Sequence, residues 1–286
     1  MSAIAGNATP LTGALVNGLV GVLPRTKAPA VTTSDTEIVN AIRDAALVAG
    51  DEILRIYHSD FEVRAKGDAS PVTDADERAE VIILKVLADV TPDIPVVAEE
   101  SASAGIIPSN LGSEFWLVDP LDGTREFVER NDEFTVNIAL VRGGIPTIGV
   151  VYAPVLKRMY GANGPGDAWI EQDNGPRTPI TVRPAPNEGL TVVVSRHHMD
   201  QSTEDFLKDF KVKDQKPAGS SLKFCLVAEG AADLYPRFGP TCEWDTAAGD
   251  AVVRGAGGTV TNLHGEPLLY GRPPFKNPGF VVRGNL

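Results

Sequence analysis

The sequence predicts an α+β protein in which helices open the chain, strands fill its middle and the two alternate near its end. Near the start, apolar residues recur at three- and four-residue steps, a spacing typical of amphipathic helices. The middle carries β-branched runs separated by glycine-rich turns, which indicates hairpins. In the last third, short apolar runs alternate with helical patterns, so we expect strands and helices in turn.

Composition indicates an acidic globular protein. The chain has 286 residues, 43% hydrophobic and 22% charged, enough for one large domain or two packed ones. Its net charge is −12 without any block of Lys and Arg, which argues against a nucleic-acid polymer or an anionic membrane as the main partner. A phosphorylated small molecule stays compatible if divalent cations separate the negative charges. Cys225 and Cys242 lack the spacing of a metal or redox motif and indicate reduced thiols in the cytosol.

Residues 1–33 are predicted to be an N-terminal extension, disordered or loosely docked. Residues 1–24 carry no charged side chain, and the mildly apolar run at residues 11–23 is too short to span a bilayer. A signal peptide would need basic residues ahead of that run, yet the first cationic residue is Arg25.

The folded part is predicted to begin with two helices. Residues 33–35 are good N-cap residues, and the apolar residues that follow them lie on one face of a long helix. A second helix is predicted to start within residues 71–76 and to end at Leu87, with Val81, Leu84 and Leu87 facing inward. A strand at residues 96–98 and a polar loop at residues 101–114 follow.

The motif at residues 115–124 is the richest in possible chemistry. A short buried strand enters Asp-Pro and Asp-Gly turn dipeptides, and we expect Pro120 to end the strand because it has no N–H. This places hard oxygen ligands of the kind that Mg²⁺ or Ca²⁺ prefers in one turn: Asp119, the Leu121 carbonyl, Asp122 and the Thr124 hydroxyl. Taken alone, the motif could equally be an Asp-rich turn.

The rest of the chain divides near a segment rich in Pro, Arg and Asn at residues 172–188. We therefore predict an N-terminal half at residues 34–185 and a C-terminal half at residues 186–286. Before the boundary, strands are predicted at residues 134–142, 148–152, 157–161 and 168–171. After it, strands are predicted at residues 190–195, 232–235, 259–261 and 279–282, and helices at residues 200–210, 222–228 and 244–256, the last with Asp245 in its first turn.

Acidic residues lie at the ends of several of these elements: Asp76, Glu99, Glu100, Asp119, Asp122 and Asp245. Each taken alone could be a solvated or capping residue. If they converge, each close pair of carboxylates repels by roughly 4 kcal/mol at an effective dielectric near 20. A fold that gathers them therefore needs metal, and two or three Mg²⁺ ions would form a cage for a phosphate.

The order of these motifs resembles the lithium-sensitive, Mg²⁺-dependent phosphatases of the inositol monophosphatase superfamily. Asp-Pro-Leu-Asp-Gly-Thr at residues 119–124 and Trp-Asp at residues 244–245 carry the resemblance to the superfamily. Further strings are similar to its CysQ-type 3′(2′),5′-bisphosphate nucleotidases, and they lie at residues 70–73, 125–127, 219–230 and 234–237.

The resemblance implies a layered αβαβα fold with two mixed, largely antiparallel sheets. It also implies two or three Mg²⁺ ions: one on Glu99, Asp119 and the Leu121 carbonyl, one on Asp119, Asp122 and Asp245, and a weaker third near Glu99 and Asp76. Thr124 and Asp76 would orient and deprotonate the attacking water. The substrate would contact these residues and four further ones, and the implied set is Glu99, Leu121, Asp122, Gly123, Thr124, His198, Ser220, Lys223, Arg237 and Asp245.

The resemblance further implies hydrolysis of adenosine 3′,5′-bisphosphate to AMP, with 3′-phosphoadenylyl sulfate as a second substrate, in sulfur assimilation. We expect a cytoplasmic protein, at most peripheral on the inner membrane, with no protein partner. An inositol- or sugar-phosphate phosphatase and an inactive phosphate or metal sensor are the alternatives. Without the resemblance, Lys223 would be interpreted as a solvated helix cation and His198 as part of a surface turn.

Overall fold

The computed structural model describes residues 33–65, 71–196 and 201–286. The predicted extension, apart from Thr33, and the predicted substrate contact His198 lie outside the described residues. Residues Thr33–Leu286 form one compact unit. The division into halves at residues 185 and 186 stays a prediction.

The described residues contain seven helices and fourteen strands. The helices are α1 (Asp35–Tyr57), α2 (Asp74–Val90), α3 (Glu99–Ser103), α4 (Thr124–Glu129), α5 (Gln201–Leu207), α6 (Leu222–Ala228) and α7 (Ala247–Gly255). The strands are β1 (Arg64–Ala65), β2 (Pro71–Val72), β3 (Val96–Ala98), β4 (Glu114–Asp122), β5 (Thr135–Arg142), β6 (Ile145–Ala153), β7 (Arg158–Asn163), β8 (Ala168–Gln172), β9 (Thr178–Pro179), β10 (Leu190–Ser195), β11 (Val212–Ala218), β12 (Leu234–Arg237), β13 (Thr259–Asn262) and β14 (Phe280–Arg283).

The two N-terminal helices begin with capping boxes. In α1 the Ser34 side chain accepts a hydrogen bond from the Glu37 N–H, and the Glu37 carboxylate accepts one from the Ser34 N–H in return. Thr73 and Asp76 form the corresponding box of α2. The prediction that Val81 faces inward is wrong, because that side chain is 68% exposed. The buried face of α2 lies about half a turn away and is formed by Ala75, Ala79, Ile83 and Leu87.

A seven-stranded sheet in the order β3-β4-β5-β6-β7-β8-β9 forms the larger β layer. Only β3 and β4 pair in parallel, and the other neighbours are antiparallel. The prediction that Pro120 ends the strand is wrong, since β4 continues to Asp122. The strand tolerates this proline because the register shifts there: Asp119 pairs with Asn137 and Asp122 with Thr135, so one residue of β4 is left over.

The second sheet has five strands in the order β11-β10-β12-β14-β13. In it β10 runs parallel to both β11 and β12, so the carboxyl ends of these three strands lie at one edge. Strand β11 was not predicted, because Val212–Ala218 is a mostly exposed edge strand of Lys, Asp, Gln and Pro without an apolar alternation.

Three hydrophobic clusters pack the five layers of helices and sheets together. The first packs α1 and α2 on one face of the seven-stranded sheet, and the second lies between the two sheets around α6 and α7. The third packs Leu207 of α5 and its neighbour Phe206 on the outer face of the five-stranded sheet. The predicted αβαβα layering with mixed, largely antiparallel sheets is therefore confirmed. None of the helices in the described part of the chain is long and apolar enough to span a bilayer.

Candidate active site

The end of β4 and the turn that follows it place several of the predicted site residues within a few positions of one another. Asp119 is buried, and its carboxylate accepts a hydrogen bond from the Leu121 N–H at 3.0 Å. Gly123 has a φ of 91°, a left-handed conformation that favours glycine, and it is the N-cap of α4. The chain can thus turn from the strand directly into a helix whose first residue is Thr124.

Thr124 and Asp76 are brought together from elements far apart in the sequence. The Thr124 hydroxyl donates to the Asp76 carboxylate at 3.0 Å. The other carboxylate oxygen of Asp76 accepts from both the N–H and the hydroxyl of Thr73, each at 2.8 Å. Burial raises the pKa of Asp76, and the hydrogen bonds from Thr73 oppose that shift. This arrangement suits Asp76 to receive a proton through Thr124.

Glu99 begins a helix rather than a loop. The prediction of a polar loop from residue 101 is wrong at its start, because residues Glu99–Ser103 form α3. Sequence reasoning also missed Glu80, whose carboxylate accepts from the Glu100 N–H at 2.8 Å and the Ser101 N–H at 2.9 Å. Glu80 lies one turn after Asp76 on α2. Its position four residues after that acid was the only available signal in the sequence.

Asp245 precedes its helix instead of occupying the first turn. The predicted helix starts too early, since α7 begins at Ala247 and Thr246 is its N-cap. The Asp245 carboxylate accepts from the Cys242 N–H at 2.8 Å, which closes a small turn ahead of the helix.

Ser221 links two of the acidic residues and was not predicted as a site residue. Its hydroxyl lies 2.8 Å from the Asp122 carboxylate and 2.8 Å from the Asp245 carbonyl oxygen. The Asn137 side-chain N–H donates to the same hydroxyl at 2.7 Å. In the sequence, the only signal for Ser221 was its position beside Ser220 in the Gly-Ser-Ser-Leu-Lys string.

The acidic side chains act on one another electrostatically. Burial is the largest cause of a pKa raised well above the ordinary range for Asp119, followed by the nearby charges of Glu99, Asp122 and Asp245. Burial also raises the pKa of Asp122, which Lys223 opposes. For Asp245, burial and then the charges of Asp122 and Glu99 raise the pKa well above its ordinary value. The charges of Glu99, Asp122 and Asp245 therefore all reach Asp119.

The donor set fits a hard divalent cation. The negative charge of Glu99 acts on Asp119, so these two carboxyl groups lie near one another. A cation that binds oxygen ligands would relieve the repulsion between them. Among the described residues, no three Asp, Glu, His or Cys side chains already enclose one point as ion ligands. Hydrogen bonds to the protein occupy part of each of Asp119, Asp122 and Asp245.

A cavity of about 160 Å³ opens beside these acids. Its lining includes the acidic residues Asp122 and Asp245 together with Gly123, Ser220, Lys223 and Arg237. It lies at the edge where the parallel strands β10 and β12 end, the usual place of ligand sites in sheets with parallel strands.

Lys223 is not a solvated helix cation, since it is only 8% exposed. Its ammonium group donates to the Ser220 carbonyl at 2.6 Å and lies 5.7 Å from the centre of the Tyr235 ring. Burial lowers the pKa of Lys223 to about 8, while Asp122 favours its charged form. In Arg237 the Nε–H is buried and donates to no oxygen of the described residues. Both cations can therefore still donate hydrogen bonds to a ligand.

Comparisons of the sequence and of the structure with known proteins match this chain to the same family. The inositol monophosphatase family matches residues 34–279. The 3′(2′),5′-bisphosphate nucleotidase CysQ of Salmonella typhimurium is 51% identical over 237 residues, which cover 82% of this chain and 94% of that protein. A crystal structure of CysQ from Bacteroides thetaiotaomicron is 39% identical with a TM-score of 0.73, and the match covers 87% of this chain and 97% of that one. An IMPase of Thermotoga maritima is 26% identical with a TM-score of 0.70, covering 88% and 93%.

The chain therefore belongs to the inositol monophosphatase family. Within that family it is a CysQ-type member, and so an enzyme of the phosphatase class. Both the family and the enzyme class predicted from the sequence motifs are confirmed.

Proposed function

We propose that this chain hydrolyses the 3′-phosphate of adenosine 3′,5′-bisphosphate to yield AMP. The single observation that carries the proposal is the lining of this cavity, which combines the carboxylates of Asp122 and Asp245 with two cations, Lys223 and Arg237; these two cations are called the basic wall. A substrate with two separated phosphates matches such a cavity. One phosphate lies where metal ligands are available, and the other meets Lys223 and Arg237. The nucleotidase name of the Salmonella relative supports the same substrate class.

The metal sites that we propose follow the predicted ligands. Glu99, Asp119 and the Leu121 carbonyl would hold one Mg²⁺, Asp119, Asp122 and Asp245 a second, and Glu99 with Asp76 a weaker third. Bound divalent cations would neutralise phosphate oxygens and make a coordinated water more acidic. The pKa values of Asp119 and Asp245 are raised by burial and then by the neighbouring acidic charges, which supports the proposal, because a bound cation would stabilise both carboxylates.

The chain itself supplies the proton acceptor. The Thr124 hydroxyl accepts a hydrogen bond from the attacking water while it donates its own proton to Asp76. The raised pKa of the buried Asp76 carboxylate favours that acceptance. Thr73 holds the second oxygen of Asp76, so the carboxylate keeps its orientation during the transfer. Thr124 and Asp76 thus aim and deprotonate the water.

The 5′-phosphate is the group that we assign to the basic wall. A dianion there needs local positive charge in a protein of net charge −12. The Arg237 guanidinium and the Lys223 ammonium provide it through charge-assisted hydrogen bonds. The resemblance adds 3′-phosphoadenylyl sulfate as a second substrate and sulfur assimilation as the setting. The cytoplasmic location and any peripheral membrane contact stay predictions.

A substrate panel tests the proposal. Phosphate release from adenosine 3′,5′-bisphosphate is compared with release from inositol 1-phosphate at one Mg²⁺ concentration. We expect a clear preference in kcat/KM for the nucleotide. A preference for inositol 1-phosphate would instead establish the alternative, an inositol phosphatase on the same site.

A second experiment tests the metal requirement. Activity should disappear with a chelator and return with Mg²⁺, whereas Ca²⁺ should inhibit because its looser geometry misplaces the water. Lithium should inhibit, as the family resemblance implies. Full activity in excess chelator would contradict the metal assignment, and absence of any phosphate release under all conditions would point to an inactive sensor.

A further inference from the structure

Glu133 connects the two halves of the candidate site from a position that no motif singled out. It lies in the segment between α4 and β5, directly before the strand that pairs with β4. One oxygen of its carboxylate accepts from the Gly219 N–H at 2.7 Å, and the other pairs with the Arg196 guanidinium at 2.7 Å. Glu133, which precedes a strand of the seven-stranded sheet, therefore holds two points that follow strands of the five-stranded sheet.

Both points adjoin the cavity wall. Arg196 follows Ser195 at the carboxyl end of β10, and Gly219 follows Ala218 at the carboxyl end of β11. The two strands are parallel neighbours, with Ser195 opposite Ala218. Glu133 thus spans the ends of two adjacent strands at the edge where the cavity opens.

The turn that Glu133 holds has a demanding conformation. Ser220 adopts a φ of 42°, a backbone angle that residues other than glycine rarely adopt. Gly219 packs so closely that a Cβ there would lie 2.9 Å from the Glu133 carbonyl oxygen. A turn of this kind persists only where its surroundings hold it. The hydrogen bond from Gly219 to Glu133 is one such restraint.

The position of Lys223 depends on that turn. The Lys223 ammonium donates to the Ser220 carbonyl at 2.6 Å, so the direction of this carbonyl fixes where the charge lies. A shift of the turn would therefore move both Ser220 and the Lys223 ammonium relative to the ligand. Glu133 does not line the cavity itself.

We propose that Glu133 is a positioning residue: it holds the Gly219–Ser220 turn and thereby fixes the position of the basic wall, which we assign to the remote phosphate. This rests on the proposed nucleotidase function, because that wall is assigned to the 5′-phosphate. The position of the acceptor oxygen matters in this role, and its negative charge matters less.

Matched variants separate these two properties. Glu133→Asp keeps the charge but withdraws the carboxylate by one methylene, and Glu133→Gln keeps an acceptor of the same reach without the charge. We expect Glu133→Asp to raise KM for adenosine 3′,5′-bisphosphate about tenfold, the effect of losing one charge-assisted hydrogen bond. Glu133→Gln and Arg196→Met should change it less than about threefold. For substrates with one phosphate, kcat and KM should stay near the wild-type values in all three variants.

The control is Glu188→Ala, because Glu188 is an exposed carboxylate that pairs with Lys213 at 3.2 Å. Equal losses on both substrate types, or a Glu133→Gln effect as large as that of Glu133→Asp, would overturn the positioning role. Hydrogen exchange measured without substrate distinguishes this failure from failure of the proposed function. Faster exchange at residues 219–223 in Glu133→Asp is expected, and unchanged exchange would overturn the role whatever substrate the wild type prefers.

Discussion

The Thr124 hydroxyl donates a hydrogen bond to the Asp76 carboxylate at 3.0 Å, which joins the first residue of α4 to the first turn of α2. These residues are 48 positions apart in the sequence. Asp76 is 1% exposed, and its remaining oxygen is held by Thr73. In the proposed mechanism, the pair would provide a preorganised path for one proton from a water next to Thr124.

Removal of the Thr124 hydroxyl should lower kcat strongly. Thr124→Val keeps the shape of the side chain but can neither accept a proton from water nor donate one to Asp76. We expect kcat to fall by roughly a hundredfold or more, since general-base catalysis contributes about 10²- to 10⁴-fold. The Mg²⁺ concentration for half-maximal activity should change little. Thr124→Ser restores the hydroxyl and should recover most of the rate, whereas an active Thr124→Val enzyme would mean that the water-activating pair is misassigned.

Asp245→Asn should lower the activity of the enzyme and raise its stability in the absence of metal. Burial, and then the charges of Asp122 and Glu99, raise the pKa of Asp245, so its ionised form costs folding free energy when no cation is bound. The amide oxygen of Asn can still accept from the Cys242 N–H. We expect kcat to fall by roughly a hundredfold or more, because a proposed metal ligand is lost.

The same Asp245→Asn variant should unfold at a higher temperature than the wild type when both are heated in chelator. In saturating Mg²⁺ the order should reverse or vanish, because the wild type gains more from the cation. Calorimetry in both buffers measures this. A variant that is less stable than the wild type in chelator would show that the acidic cluster carries no repulsive cost.

The motif at residues 115–124 and the amphipathic helices could be predicted from the sequence because their signals are local. Turn dipeptides, N-cap residues and a 3.6-residue apolar period depend on neighbours in the chain. The bulge at Pro120 was not accessible, since it depends on how β4 pairs with Asn137 and Thr135 of the next strand. Pairing across a sheet is a tertiary property.

The groups that support the site were also beyond the sequence. Glu80, Glu133 and Ser221 act through oxygens that reach backbone N–H groups or side chains of other elements. The burial of Lys223 likewise results from packing in the layer between the two sheets. Composition and spacing predict neither. A resemblance to a family could indicate Lys223 as a contact, but only the fold gives the reason for its lowered pKa.

Asp250 should make stability depend on pH. It is fully buried in α7, where it accepts from the Tyr270 hydroxyl at 2.9 Å and pairs with Arg254. Burial raises its pKa from 3.8 to about 6. Because the folded state binds this proton more tightly than the unfolded state does, the contribution to stability is complete below pH 4 and is lost as the pH rises through 6. The difference corresponds to about 3 kcal/mol.

Denaturant unfolding between pH 4 and pH 7.5 measures this contribution. Asp250→Asn should flatten the decline in unfolding free energy over that range by about 2–3 kcal/mol. The exposed Asp89 on α2 provides a control, and Asp89→Asn should leave the decline unchanged. The buried acids of the candidate active site also lower the unfolding free energy as the pH rises. The slope should therefore decrease in Asp250→Asn without reaching zero. An unchanged slope would mean that Asp250 is ionised in the folded protein at low pH.

Lys223 and Arg237 distinguish a nucleotidase from an inositol phosphatase. The 5′-phosphate of the proposed substrate lies too far from the reacting phosphorus for the same metal ions to neutralise it, so it needs local cations. Loss of one charge-assisted hydrogen bond costs roughly 1.5–3 kcal/mol, or about ten- to a hundredfold in kcat/KM. Lys223→Met and Arg237→Met, which keep apolar volume without charge, should therefore impair hydrolysis of adenosine 3′,5′-bisphosphate by that factor.

Substrates with a single phosphate provide the internal control for these two variants, because they have no group that reaches the basic wall. Their kcat/KM should change less than about threefold in Lys223→Met and Arg237→Met. The wild type adds a second check, since the pKa of Lys223 is about 8 and its charge is lost as the pH rises further. KM for the bisphosphate should thus rise above pH 8 in the wild type and stay flat in Lys223→Met. Equal losses on both substrate types would mean that the two cations support the fold or the acidic cluster, and the basic wall would no longer distinguish the nucleotide from inositol phosphates.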